Sequence, residues 1–264
     1  MSPKSGPKYI FSFGDSYTST NFDINGPQPC PENPLGNTDL GNHQTSAQGP
    51  VWIEFLTTKY NTDPVLTYNF AVGGASIPDN YTYQVENLYQ PKYTRERFWH
   101  GSQTLFTSWI GINDVSDAWI HKDMSMLLRR LDQYTDLLEQ LWDTGARNFL
   151  IVNNPPLDRS PFIQGGDEKS IAHYAACIKV FNDNLPKHVV AFQDKHPDGT
   201  VLLYDVHKFF SKVLDDPKAY GFKDNISEDE DGCMWSGSFH IRTGLDDVIA
   251  MDMAKTVAKF SFIA

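Results

Sequence analysis

A hydroxyl, a pair of glycine amides, a carboxamide and an imidazole stand at four separated points of this chain. They are the groups that acyl transfer needs. Ser16 follows the run Tyr9-Ile10-Phe11-Ser12-Phe13-Gly14-Asp15. A serine hydroxyl is a weak nucleophile until a base takes its proton and donors await the charge developing on the carbonyl oxygen. Gly73-Gly74 lies within Asn69-Phe70-Ala71-Val72-Gly73-Gly74-Ala75-Ser76 and offers N–H groups that an oxyanion can approach without a side chain intervening. Asn113, in Gly111-Ile112-Asn113-Asp114, offers a side-chain N–H donor. His240 arrives late in the chain, yet it is a candidate base, because the order of such residues differs between folds. Each has a plainer role open to it: Asp15 or Ser16 as a cap, Gly73-Gly74 as a turn, Asn113 as a cap or turn residue. The remaining histidines, His43, His100, His121, His173, His188, His196 and His207, fall on predicted helices or generic loops.

The elements around these residues explain why they could meet. Tyr9–Phe13 reads as a short buried strand ended by Gly14. A polar stretch rich in Gly, Pro and Asn runs to about Gly49, the length of a lid or substrate wall. Pro50 suits a helix's first turn, and Val51–Tyr60 carries apolar residues at helical spacing. Val65–Val72 reads as a second strand and Thr104–Ile110 as a third, apolar nearly throughout. Ile77 to Trp99 mixes helix and loop signals. From Met124 to Thr144, Leu127, Leu128, Leu131, Tyr134, Leu137, Leu138 and Leu141 make one helical stripe, stopped by Gly145. Asn148–Val152 is a fourth strand. Asp167–Lys195 is helical, with a kink or break expected at Pro186. Thr200–Val206 is a fifth strand and Leu245–Phe260 a closing helix. Strands alternating with helices, without repeats or a linker, predict one doubly wound three-layer α/β/α domain over 1–264 with a mainly parallel five-stranded sheet. Ser16, Gly74 and Asn113 then follow the carboxyl ends of three strands, the edge where such sheets bind ligands.

Composition narrows the partners. The 264 residues carry a formal net charge of −11 and no basic cluster, which excludes a nucleic-acid surface. Cys30, Cys177 and Cys233 are too few and scattered for a disulfide framework or zinc site, leaving one disulfide plus a thiol, or three thiols. No apolar run is long enough for a membrane helix or signal core. The chain as written therefore reads as soluble and untargeted, though a cropped secreted form would look the same. Asn80-Tyr81-Thr82 and Asn225-Ile226-Ser227 are glycosylation sequons, a pattern frequent by chance.

Gly-Asp-Ser after the first strand, Gly-Gly-Ala after the second, Gly-x-Asn-Asp after the third and a late His resemble the four blocks of the SGNH, or GDSL-type, serine hydrolases. The strings Phe13-Gly14-Asp15-Ser16-Tyr17-Thr18, Asn-Pro-Leu-Gly-Asn (33–37), Trp-Ile-Gly-Ile-Asn-Asp (109–114) and Pro-Pro-Leu-Asp-Arg-Ser-Pro (155–161) resemble the fungal branch in carbohydrate esterase family 16. The resemblance implies an SGNH-like fold and a serine esterase that needs no metal or cofactor. It acts on a small acyl ester, such as an acetylated sugar, rather than on nucleic acid or a membrane. Ser16 would be the nucleophile and His240 the base, with Ser16 N–H, Gly74 N–H and the Asn113 side chain as the oxyanion hole. It also favours secretion if the chain is a cropped mature form, and a cytoplasmic enzyme if its amino terminus is native. Tyr81, Tyr83, Tyr89, Tyr93, Phe98 and Trp99 are candidates either for stacking on sugar rings or for the core.

One position departs from the family pattern Cys-x-Trp-x-Asp-x-x-His-Pro. In Cys233-Met234-Trp235-Ser236-Gly237-Ser238-Phe239-His240-Ile241, Gly237 stands where the carboxylate belongs and Ile241 replaces the proline. The triad acid normally fixes the imidazole's tautomer and stabilises its charged form. Three outcomes follow: a Ser-His dyad steadied by a backbone carbonyl, a carboxylate supplied by Asp231, Glu230, Asp246 or Asp247, or a repurposed pocket. The carbonyl-steadied dyad is the expectation. An acyltransferase and a silent small-ligand binder are the alternatives to an esterase.

Overall fold

Strand β1 (Tyr9–Gly14) enters the interior at once, its residues Ile10 to Gly14 all buried. The computed structural model describes residues 8–36, 44–61, 63–95, 97–260 and 262; His43 and Asn37 of the 33–37 string lie outside them. After β1 come α1 (Trp52–Thr58), β2 (Leu66–Asn69), α2 (Gln90–Tyr93), β3 (Thr104–Trp109), α3 (Ile112–His121) and α4 (Ser125–Asp143). Strand β4 (Asn148–Val152), α5 (Pro161–Gln164), α6 (Glu168–Lys195), β5 (Thr200–Tyr204) and α7 (Val206–Asp215) follow. The two-residue strands β6 (Trp235–Ser236) and β7 (His240–Ile241) then make an antiparallel hairpin ahead of α8 (Thr243–Val257).

The five long strands form one parallel sheet in the order β2-β1-β3-β4-β5. Helices α1, α7 and α8 pack together on one face, and α3, α4 and α6 on the other. Coverage on both faces explains why β3 and β4 are fully buried, the polar residues of β3 being Thr and Ser. From β1 the chain moves outward to β2 and then returns to β1's other side as β3. The order reverses there, and a crevice opens beyond the carboxyl ends of β1 and β3.

Several expectations need correction. Pro50 precedes the cap residue Val51 and is not inside α1. Helix α6 runs unbroken through Pro186. A mid-helix proline costs about 3 kcal/mol, but Phe181, Leu185, Val189 and Phe192 are all buried on that helix. At roughly 1.5–3 kcal/mol for each such side chain, burial outweighs the proline. Leu128 is exposed, at the edge of the α4 stripe. The segment from Ile77 to Tyr93 is helical apart from a kink at Asp79, whose φ of −112° and ψ of −106° are not helical, with wide turns over Ile77–Tyr81 and Gln84–Tyr89. Most of its aromatic residues are core and so cannot stack on a sugar. Phe11 sits among Tyr68, Phe70, Tyr89, Tyr93, Trp99 and Phe106, with ring centroids 5.2 to 6.1 Å away. Tyr81 is buried as well, and only Tyr83 and Phe98 of that group are exposed.

Candidate active site

Ser16 Oγ lies 2.9 Å from His240 Nε2, across 224 residues of chain. Register explains how the other groups reach them. Gly14 is paired with Trp109 across β1 and β3, and its carbonyl accepts the Val72 N–H at 3.2 Å. Ser16, Gly74 and Asn113 thus follow three aligned positions at one sheet edge. The edge is clamped from below: the Gln84 carboxamide accepts the Gly14 N–H at 3.0 Å and donates to its carbonyl at 2.8 Å.

The oxyanion candidates have free donors. Among the described residues, neither the Ser16 nor the Gly74 N–H has an acceptor. Gly74 has φ +75°, a Cβ there would meet nothing within 4 Å, and the residue is exposed. Asn113 spends one Nδ2 hydrogen on the Ala75 carbonyl at 2.9 Å, which leaves the second for a ligand. Asp114, paired with Arg130 at 3.0 Å, accepts the Ile77 N–H at 3.1 Å. The glycine turn is therefore tied to the start of α3 at two points.

Loop 44–50 braces Ser16 against the histidine hairpin. The Ser46 hydroxyl donates to the Ser16 carbonyl at 2.6 Å, and the Ser236 hydroxyl donates to the Ser46 carbonyl at 2.7 Å. Asp229 accepts both the Gln48 side-chain N–H at 2.8 Å and the Gly237 N–H at 2.9 Å. The Tyr17 hydroxyl donates to the Phe239 carbonyl, and its ring lies 5.5 Å from the His240 ring.

Among the described residues, no carboxylate meets His240. Among the described residues, its ring makes one hydrogen bond, to Ser16. The expected backbone carbonyl on the imidazole is not there either. Glu230 pairs with Lys223 at 2.9 Å, and Asp231 lies exposed in the loop. Asp246 is buried and accepts the Trp52 N–H at 3.0 Å, while Asp247 binds Lys59 and Tyr60. Gly237 has φ +53°, with open space where its side chain would be. Burial holds the His240 imidazole below its ordinary value, so it is neutral at pH 7 and able to accept a proton.

Burial also pushes the Asp15 carboxyl, beside the nucleophile, up to about 7, and the nearby Asp114 charge adds to this. One Asp15 oxygen accepts the Tyr17 N–H at 3.0 Å, and the other has no partner among the described residues. The folded value exceeds the unfolded 3.8, so the unfolded chain gives up this proton first as pH rises. Stability from this group is complete below the unfolded value and is lost toward pH 7, at up to ~1.4 kcal/mol per pH unit. Asp15→Asn is therefore expected to flatten the fall in stability between pH 5 and 7, read by urea unfolding at several pH values. An unchanged slope would show that Asp15 ionises freely.

Among the described residues, no group of three or more His, Cys, Asp or Glu side chains could hold a metal, and no helix is long and apolar enough to cross a membrane. All three cysteines are free. A cleft of about 620 Å³, lined by Tyr9, Pro31, Pro34 and Leu66, lies at the opposite, amino-terminal edge of the sheet and holds none of these groups.

The model of the family described as GDSL-like Lipase/Acylhydrolase matches residues 10–239. The chain belongs to that family. It is a serine esterase with the α/β/α fold of that group. An acetylesterase of Thermothelomyces thermophilus is 33% identical over 94% of this chain and 87% of its own length. An acetylesterase of Hypocrea jecorina is 22% identical over 81% of this chain and 73% of its own length. A GDSL-like lipase structure from Parabacteroides merdae superposes with a TM-score of 0.60 at 13% identity, covering 97% of this chain and 98% of the other; its likeness is one of fold.

Motif reading had singled out Ser16, Gly74, Asn113 and His240 in this esterase, and the fold brings all four to one edge. It missed Ser46, Gln84, Asp229 and the part played by Tyr17. Tyr17 sat inside a recognised string, but nothing local marks the others. Their partners lie far away in sequence.

Proposed function

We propose that this esterase removes acetyl groups from small carbohydrate esters, with Ser16 as nucleophile and His240 as general base and then general acid. The observation that carries this reading is the 2.9 Å contact between Ser16 Oγ and His240 Nε2. Ser16 attacks the ester carbonyl as its proton passes to Nε2. The negative charge that forms on the carbonyl oxygen is met by the Ser16 and Gly74 amides and the Asn113 carboxamide. The imidazolium returns the proton to the departing alkoxide, leaving an acetyl-serine. Water, deprotonated by the same imidazole, then releases acetate.

Acetyl specificity draws on the two acetylesterases that the chain resembles. An alcohol with a broad apolar face suits the surroundings of His240. Phe162 is 54% exposed and meets Phe239 edge to face at 5.9 Å, and Phe239 adjoins the histidine. A sugar ring can lie against such rings. The test is a series of p-nitrophenyl esters from acetate to octanoate with an acetylated sugar alongside, plus fluorophosphonate labelling with peptide mapping. Acetate should be turned over fastest, acetate should leave the sugar, and the label should map to Ser16. Preference for octanoate, or a label elsewhere, would overturn the proposal. Transfer of acetyl to an added alcohol in preference to water would mark an acyltransferase.

A further inference from the structure

We infer that Tyr17 is the positioning residue for His240, anchoring the peptide before the imidazole in a site where no carboxylate among the described residues binds the ring. This rests on the Ser16–His240 reading above. With no partner for Nδ1 among the described residues, the imidazole is held by its backbone, by the Ser16 bond and by what its faces touch, so whatever fixes residues 239 and 240 sets the aim of Nε2. The Phe239 carbonyl belongs to the peptide unit that leads into the His240 Cα, and the Tyr17 hydroxyl donates to that oxygen. The Tyr17 ring also lies beside the imidazole, centroids 5.5 Å apart and planes tilted by 37°, and so walls off one side of it.

Tyr17 is itself firmly held. It is buried, its N–H is bound by Asp15, and its ring packs on Trp109 at 5.7 Å. It is also the residue next to the nucleophile. One step of chain and one hydrogen bond thereby link nucleophile and base, beside the Ser46 brace that joins Ser16 to the hairpin through Ser236. Asp229, the other side chain bound to this turn, grips Gly237 at its far end from an exposed position and leaves the Phe239 peptide untouched.

The test compares Tyr17→Phe, which keeps the ring and removes the hydroxyl, with Gly237→Asp and the double variant. Tyr17→Phe is expected to lower kcat about 10- to 100-fold, because misaligned reacting groups lose rate at such scales. KM should stay within about twofold, with a folded melting transition and a parallel loss in the rate of fluorophosphonate labelling. Gly237→Asp has open space for its side chain but sits at a strained φ of +53°. It should restore kcat more in the Tyr17→Phe background than it raises kcat in the wild type, both variants being compared at temperatures below their melting transitions. Wild-type kcat in Tyr17→Phe, or the same fold-change from Gly237→Asp in both backgrounds, would overturn the inference. Labelling of wild-type Ser16 separates the two layers. Without it the Ser16–His240 reading falls; with it and an undiminished Tyr17→Phe, only the role of Tyr17 does.

Discussion

Replacing Ser16 with alanine is expected to lower kcat on an acetyl ester by at least ~10⁴-fold, with the melting curve unchanged. The side chain is half-buried, and among the described residues its hydroxyl makes one hydrogen bond, to His240. Truncation therefore removes the nucleophile and leaves the backbone braces intact, since Ser46 holds the Ser16 carbonyl and not its side chain. What remains is whatever the oxyanion donors and binding supply without covalent catalysis. Steady-state rates on p-nitrophenyl acetate, with circular dichroism melting as the control, measure it. A folded Ser16→Ala protein that keeps most of its rate would end the Ser-His mechanism.

Asn113→Ala should lower kcat by roughly 10²- to 10³-fold with little change in KM, as expected when one oxyanion donor is removed. The hydrogen available for the oxyanion is the one not spent on Ala75. Losing the Ala75 bond as well should cost about 1 kcal/mol of stability. The glycine turn stays tied to α3 through Asp114 and Ile77. Activity and stability are thus separable: the rate loss corresponds to roughly 3–4 kcal/mol of transition-state stabilisation, well above the folding cost. A raised KM with kcat unchanged would instead place Asn113 on the ground-state substrate.

Among the described residues, the candidate base His240 has no acid behind it. A carboxylate on Nδ1 would raise the imidazole's value, whereas burial alone lowers it here. The base is then always ready at neutral pH, but the imidazolium formed during reaction gains no stabilisation from a partner. A serine esterase built this way depends on aim more than on charge, which puts the weight on the groups that hold residues 239 and 240.

Legibility differed from element to element. The five strands of the sheet were readable because each is a short run of apolar or β-favouring residues ended by turn residues, and β1, β3 and β4 are buried along most or all of their length. Helix α4 was readable from its stripe. Helices α3 and α7 went unread, although Ile112, Val115 and Ala118, and likewise Val206, Phe210, Val213 and Leu214, are buried at helical spacing. They are short, and α3 begins inside a segment already read as a strand end. The break expected at Pro186 did not occur, because a local penalty gave way to the burial of four large side chains. The aromatic segment could not be divided between core and binding surface from composition, since burial depends on what packs against each ring.

Residue type and strand order were enough to name Ser16, Gly74, Asn113 and His240 and the edge on which they meet. The chain's local patterns decide where each strand stops, and the parallel register carries those stops to one line. The fate of the base's partner was decided by the tertiary structure alone. Gly237 announced a missing carboxylate, but no local rule could say whether Asp231, Glu230 or a carbonyl would replace it. The answer depends on how the hairpin of β6 and β7 sits against the turn after β1, more than 200 residues earlier. There Glu230 is drawn outward to Lys223, Asp246 is spent on the Trp52 amide, and the Tyr17 hydroxyl reaches the Phe239 carbonyl. Contacts of that kind come from the packing of distant segments, and spacing along the chain does not encode them.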